Sequence, residues 1–448
     1  MTTPVFVTGS TMRHVLVMTS ASAVGLLAMF GVDVADLYFL TLLGEQEIVA
    51  AVGFAGTLLY FLLSLGIGLQ IALGALVARA EGGGDRDAAR RYCSSTLLFN
   101  VLIATLLAGL VGWQLEALLR MLGAAGTTLD YALSYARIQL PAVPFLVLAM
   151  SQGAGLRAVG DARRYMLATL AGAATNLVLD PLFIFVCGWG LEGAAWASVC
   201  ARVVVVFYTA RVLFGVHRLP RRISAAEWRG DVPAILAIAL PAVLTNLATP
   251  LGNSVILRFM SQFGDGAVAA QAIMGRLAPV AFAAVFALSG AIGPIVGQNA
   301  GAIRYDRVRE TLLNAALFIA AYVALVWLLL WLLAGHVTAV FAASDVAADL
   351  ITFYITFLTG AFALNGLLFV ANASFNNLGR AYLATLFNYA KVLLGMVPAA
   401  WLGAQWYGAR GVMLGEAVGM SLFGVLGILT ALALVGGLQR RYVSPLKG

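Results

Sequence analysis

Charge is what this sequence has least of. Only 10% of its 448 residues are Asp, Glu, Lys or Arg, against roughly 25% in a soluble globular domain, while 62% are hydrophobic. That deficit excludes a soluble fold and points to an all-α polytopic membrane protein. Cysteine and histidine are equally scarce, three of each. Cys93, Cys187 and Cys200 lie in apolar stretches without metal-ligand spacing and read as buried free thiols. His14, His217 and His336 lie at span edges or in loops, and no phosphate-binding glycine loop, HExxH or Ser/His/Asp arrangement occurs. The chain is therefore not expected to be an enzyme or to carry a cofactor or metal. Without a nucleotide motif, its energy source has to be an ion gradient.

What the sequence has is apolar runs long enough to span a bilayer, each needing about 20 residues. Twelve are expected, near 14–40, 48–78, 92–113, 130–152, 163–187, 191–214, 232–259, 267–297, 311–334, 349–374, 382–404 and 410–436. Basic residues gather in alternate connections, among them Arg13, Arg86, Arg90, Arg91, Arg163, Arg164, Arg221, Arg307, Arg441 and Lys447. By the positive-inside rule that face is cytoplasmic, so both termini are expected there and the span count is even. The +7 net charge thus marks orientation and not nucleic-acid binding. The opening MTTPVFVTGSTMRH leads into an apolar stretch too long for a signal-peptide core and is expected to remain as an anchor.

The longest polar linker, 215–231, divides the chain into an amino-terminal lobe (1–214) and a carboxy-terminal lobe (232–448), and the two resemble each other. LVARAEGGGDRDAARR (76–91) parallels IVGQNAGAIRYDRVRE (295–310), and VGDARRYMLATL (159–170) parallels LGRAYLATL (378–386). A duplication of six spans predicts two pseudo-symmetric six-helix bundles about a central cleft, the layout of a transporter working by alternating access. A monomer is expected, since each half can bury its face against the other.

A few polar groups lie inside the spans, where a charge costs a few kcal/mol or more and function is the default reading. Asp33 and Asp36 are three apart and so share a helix face. Asn176 and Asp180 are four apart on span five, and Pro181 follows at once. A proline there frees the carbonyl of Leu177, so a carboxylate, an amide and a backbone oxygen fall within one turn. Such a set suits a proton acceptor or a small oxygen-lined Na+ site. Arg202, about halfway down span six, is at the estimated depth of Asp33, and the two are expected to form a buried ion pair. Lys391 on span eleven is expected to snorkel, and Glu416 to be interfacial.

These stretches together resemble the multidrug and toxic compound extrusion (MATE) family across nearly the whole chain. The resemblance rests on Asp36 eight residues before Gly44, LRAVGDARRYMLATLAGAATNLVLDPLF (156–183), GLEGAAWAS (190–198) and PAVLTNLATPLGN (241–253). It implies export of amphipathic, often cationic organic compounds across the cell's inner membrane, driven by inward H+ or Na+. The DinF-like branch of that family is marked by an amino-lobe cluster, matched here by Asp36, Asn176, Asp180 and Ser198. Spans seven and ten carry no Asp or Glu, so the cation site of the other bacterial branch looks absent; Asp36, Asp180 and Asn176 could serve either ion, and the resemblance to the DinF-like branch implies H+ in preference to Na+. Asp33 and Arg202 depart from the pattern, and Ala21 stands where span seven has Pro241. A lipid or lipid-linked oligosaccharide flippase of the same superfamily is the alternative.

Overall fold

The computed structural model describes residues 4–340 and 344–443, and every regular element among them is helical. Lys447 lies outside the described residues. The first half contains α1 (Thr11–Thr41), α2 (Gln46–Gly82), α3 (Arg86–Trp113), the short α4 (Leu115–Met121), α5 (Gly126–Gln139), α6 (Val143–Ala158), α7 (Ala162–Pro181) and α8 (Gly190–Ala210). The second half contains α9 (Ala225–Ser261), α10 (Asp265–Ala281), α11 (Ala283–Gly301), α12 (Tyr305–Leu332), the short α13 (Ala334–Val340), α14 (Asp345–Phe353), α15 (Ala361–Asn377), α16 (Ala381–Ala390) and α17 (Val397–Val443). Helices start where side chains meet the orphaned N–H groups of the first turn. Asp85, Asp161 and Ser344 accept from the backbone of Ala88, Arg164 and Ala347.

Ten helical runs among the described residues are long and apolar enough to cross a membrane, or eleven with the pair Asp345–Leu358 and Ala361–Asn377, which bends by 64°. The last run, Ala381–Tyr442, has 62 residues, about 90 Å of helix against a hydrocarbon core of about 30 Å. It doubles back at Tyr407 and at Gly408, whose φ of 59° with ψ of −140° is open only to glycine. Divided there, it supplies both expected spans, 382–404 and 410–436, and the twelve crossings are accounted for. The expected span 267–297 is broken at Phe282 into α10 and α11. Proline, which removes an N–H, lies within both pieces, as Pro279 and Pro294. The two arms of the final hairpin meet through small residues. A β-carbon at Gly403 would overlap the backbone of Gly411, one at Gly415 that of Ala399, and one at Gly419 that of Met396. Of the three thiols expected to be buried, Cys93 is, Cys200 is half-buried, and Cys187, in the turn after α7, is exposed.

Packing divides the chain differently from the linker. One compact unit comprises Val24–Glu81 and Asp85–Val243; the other comprises residues up to Ala23, Gly82–Gly84 and Leu244 onward. The expected boundary at 215–231 is displaced because that segment is bound to the first unit. Ser94 Oγ donates to Arg221 O at 2.6 Å, Ser95 Oγ to Asp231 Oδ2 at 2.6 Å, and Arg91 lies 3.2 Å from Asp231. Arg86, paired with Glu81, donates to His217 O at 2.6 Å, and His217 Nε2 is 2.7 Å from Asp161 Oδ2. Burial works to raise the Asp161 carboxyl, but the hydrogen bonds from His217 and Arg164 prevail and hold it below the usual carboxylate range.

The amino-terminal segment joins the second unit for a similar reason. Phe6 is 1% exposed; its N–H donates to Gln298 Oε1 at 2.9 Å, and its carbonyl accepts from Asn299 Nδ2 at 3.2 Å. Arg307 Nη2 donates to the carbonyls of Phe6, Thr8 and Gly9 at 3.0, 3.2 and 2.9 Å. A guanidinium bound to three carbonyls holds the strap through charge-assisted hydrogen bonds. Phe6→Ala removes a buried aromatic and should cost about 3–5 kcal/mol locally. Hydrogen exchange over residues 4–10 should accelerate in that variant; exchange as slow as in the parent would show that Phe6 does not anchor the strap.

Candidate functional site

The carboxyl cluster expected from the sequence lies wholly within the first unit, on α1, α7 and α8. Asp180 is fully buried and Asn176 is 3% exposed; Asp36 and Ser198 are half-buried, and Asp33 is exposed. The helix α7 presents Asn176 and Asp180 on one face, one turn apart, and runs through Pro181 into a wider π turn over Leu182–Val186. A proline that cannot donate is accommodated by that loosened turn.

One amide joins the group. With its nitrogen facing the two carboxyls, the orientation that satisfies all partners, Asn176 Nδ2 donates to Asp36 Oδ1 at 2.7 Å and to Asp180 Oδ2 at 3.0 Å. Its Oδ1 then accepts from Ser198 N at 3.2 Å, and Ser198 Oγ lies 3.4 Å from the amide. The Asp36 and Asp180 carboxyls face one another, and Asp180 Oδ1 is buried without a hydrogen-bond partner. A carboxylate oxygen left so has an open acceptor position, which a proton fills without any new side chain. Two acids sharing two N–H donors form a compact unit that two full negative charges strain.

The structure therefore brings Asp36, Asn176, Asp180 and Ser198 together. The expected pair of Asp33 with Arg202 is corrected: the two feel each other's charge, but they are not among the ion pairs of the described residues. Arg202 sits in the field of Asp33, Asp36 and the Tyr135 hydroxyl together, and its Nη1 is buried without a hydrogen-bond partner. Depth along a helix was the basis for the pair, and depth does not fix the direction in which a side chain leaves the axis. Tyr135, with Gln139 Nε2 donating to its hydroxyl at 3.3 Å, was missed by sequence reasoning. Its signal was present: Tyr131, Tyr135 and Gln139 recur at four-residue spacing and put a polar stripe on one face of α5.

The second unit holds a buried charge of its own. Lys391, in the π turn Lys391–Met396, is 4% exposed and does not snorkel. It lies in the field of Glu416 on α17, which accepts from Gln271 Nε2 on α10 at 3.3 Å. The Tyr354 phenol is also in range of Glu416. Glu416 itself is half-buried.

The pattern of the MatE family matches residues 21–182 and 241–401. The chain belongs to the MatE family. It is consequently a multi-pass membrane transporter and not an enzyme. A FAD transporter of Shewanella oneidensis is 29% identical over 92% of this chain and 92% of its own. The multidrug export protein MepA of Staphylococcus saprophyticus is 22% identical over 59% of each. Among solved structures, a MOP superfamily transporter from Pyrococcus furiosus superposes with a TM-score of 0.91 at 22% identity, covering 98% of this chain and 99% of that one. An outward-facing multidrug resistance MATE transporter superposes with a TM-score of 0.89 at 23% identity, covering 96% and 97%. MatE relatives thus share the fold of two pseudo-symmetric six-helix bundles over essentially its full length.

Proposed function

We propose that this MatE transporter exports bulky amphipathic organic compounds, often cationic, in exchange for protons that load onto Asp36 and Asp180. The geometry that carries the reading is the Asn176 amide within hydrogen-bond reach of both carboxyls, with its nitrogen assigned toward them because that orientation satisfies every partner. An N–H donor occupies the space between the acids, where Na+ would need an oxygen, so the group accepts a proton as it stands and Na+ only after the amide turns over. Ser198 holds that orientation through its backbone N–H, and Asp33 and Arg202 set the local field. Multidrug exporters among the relatives support the cargo class. The protein works as a monomer in the cell's inner membrane, with both termini cytoplasmic.

A second reading of the cargo is favoured by the Shewanella relative, whose similarity extends over 92% of both chains: a flavin dinucleotide, planar at both ends and anionic between them. Purified protein in liposomes separates the possibilities. An imposed pH gradient should drive ethidium transport, and an equal Na+ gradient at constant pH should not. Transport driven by Na+ alone would overturn the proton assignment; FAD moved in place of ethidium would establish the second cargo.

A further inference from the structure

A cavity of about 390 Å³ opens between α5, from its second turn onward, and the first two turns of α8, and none of the carboxyl-cluster residues lines it. It is lined by Asp130, Ser134, Arg137, Glu192 and Trp196 beside two aliphatic side chains. Asp130, Ser134 and Arg137 fall on one face of α5 at helical spacing. Glu192 and Trp196 are one turn apart on α8, and Ser134 Oγ hydrogen-bonds Glu192, tying the two helices together. Asp130, Arg137, Glu192 and Trp196 are exposed. None of these three charged groups is in an ion pair among the described residues.

Depth decides what can answer that arginine. The crossing Gly126–Ala158 has 33 residues, about 50 Å of helix, so about 10 Å extends beyond a hydrocarbon core of about 30 Å at each end. With the crossing centred on that core, Arg137, about 16 Å along the axis from Gly126, falls several ångströms inside the boundary. A guanidinium there reaches back to the headgroup level and takes an anion, since a bare charge facing hydrocarbon costs a few kcal/mol or more. Lipid phosphate is the anion abundant at that level. Trp196 is exposed near the start of the crossing Gly190–Val216, and tryptophan is the residue type enriched at the glycerol and headgroup level.

The two acids narrow the choice of lipid. Asp130 and Glu192 lie four and two residues from the first residues of α5 and α8, and Arg137 eleven, so the rim is negative and the deeper position positive. An anionic headgroup gains from Arg137 but is repelled at the rim, and a choline headgroup has no N–H to donate. A phosphate joined by two carbons to a primary ammonium places each charge beside its opposite. We propose that this cavity binds a phospholipid with a phosphoethanolamine headgroup, its phosphate on Arg137 and its ammonium between Asp130 and Glu192.

Native mass spectrometry of the full-length protein, exchanged into an equimolar mixture of phosphatidylethanolamine, phosphatidylcholine and phosphatidylglycerol, tests the assignment. The ethanolamine lipid should be retained about tenfold over the others, as two charge-assisted contacts permit. Arg137→Gln and Glu192→Gln should each abolish that preference, and Arg137→Lys should restore most of it. All are surface changes, so thermal midpoints in detergent should stay with the parent and certify folding. Equal retention of the three lipids, preference for phosphatidylglycerol, or a preference that survives both neutral variants would each overturn the proposal. The readout does not involve transport and stands apart from the choice of coupling ion or cargo.

Discussion

Proton-driven export should fall at least about a hundredfold in Asp36→Asn, an effect of the size expected when a group acting through its proton is removed. The side chain is half-buried and isosteric with its replacement, so folding should be preserved. Cargo binding, measured by fluorescence at equilibrium, should change far less than export, because the variant loses the proton site and not the cargo surface. Asp180→Asn should lower export as far but also lower stability, since Asp180 is fully buried and its Oδ2 accepts from Asn176. Proteoliposomes with an imposed pH gradient give the rate. Asp36→Asn exporting at the parent rate would remove Asp36 from the mechanism and with it the reading of the Asn176 bridge.

The second large effect is on stability. Lys391 is 4% exposed, and the nearby acid in its field is Glu416. Removing one member of a buried opposite-charge set costs about 3–5 kcal/mol because the survivor is left uncompensated, whereas replacing both by neutral groups is often close to neutral. Glu416→Gln, which strands the deeper ammonium, should therefore lower the detergent melting midpoint by several degrees. Lys391→Met should do so less, because Glu416 keeps Gln271 as a donor and is only half-buried. The double variant Lys391→Met with Glu416→Gln should return most of the loss. Simple addition of the two single effects would show that Lys391 and Glu416 do not interact.

The legible and illegible parts of this chain separate along a physical line. Hydrophobic length announces a membrane crossing, so all twelve runs were visible, including the two that meet at Tyr407 and Gly408. The pairing of Asn176 with Asp180 was visible because both lie on one helix, where four residues make one turn. Asp36 could be added because an acid in an apolar run demands an explanation. Contacts between helices were not visible, since a linear sequence gives height and conceals azimuth. Arg202 was at a suitable height for Asp33 yet points into the shared field of three groups; Lys391 was counted from its helix end and given to the interface, while Glu416 on α17 supplies its counter-charge. The boundary between units escaped for the same reason. A polar linker reads as a separation, but Ser94, Ser95 and Arg91 bind it to the first unit, and Phe6 carries the amino-terminal strap onto α11 and α12.

The glycine seam of the last hairpin restricts what this sequence can become. Where Gly403 faces Gly411 and Gly415 faces Ala399, the smallest possible substitution on either arm already intrudes on main chain, and main chain has no rotamer to move aside. Neutral drift is therefore closed at these positions while it stays open at the lipid-facing residues between them. A saturation library scored for membrane abundance should show forbidden sites at Gly403, Gly411, Gly415 and Gly419, the last three one helical turn apart, independent of which molecule the transporter moves.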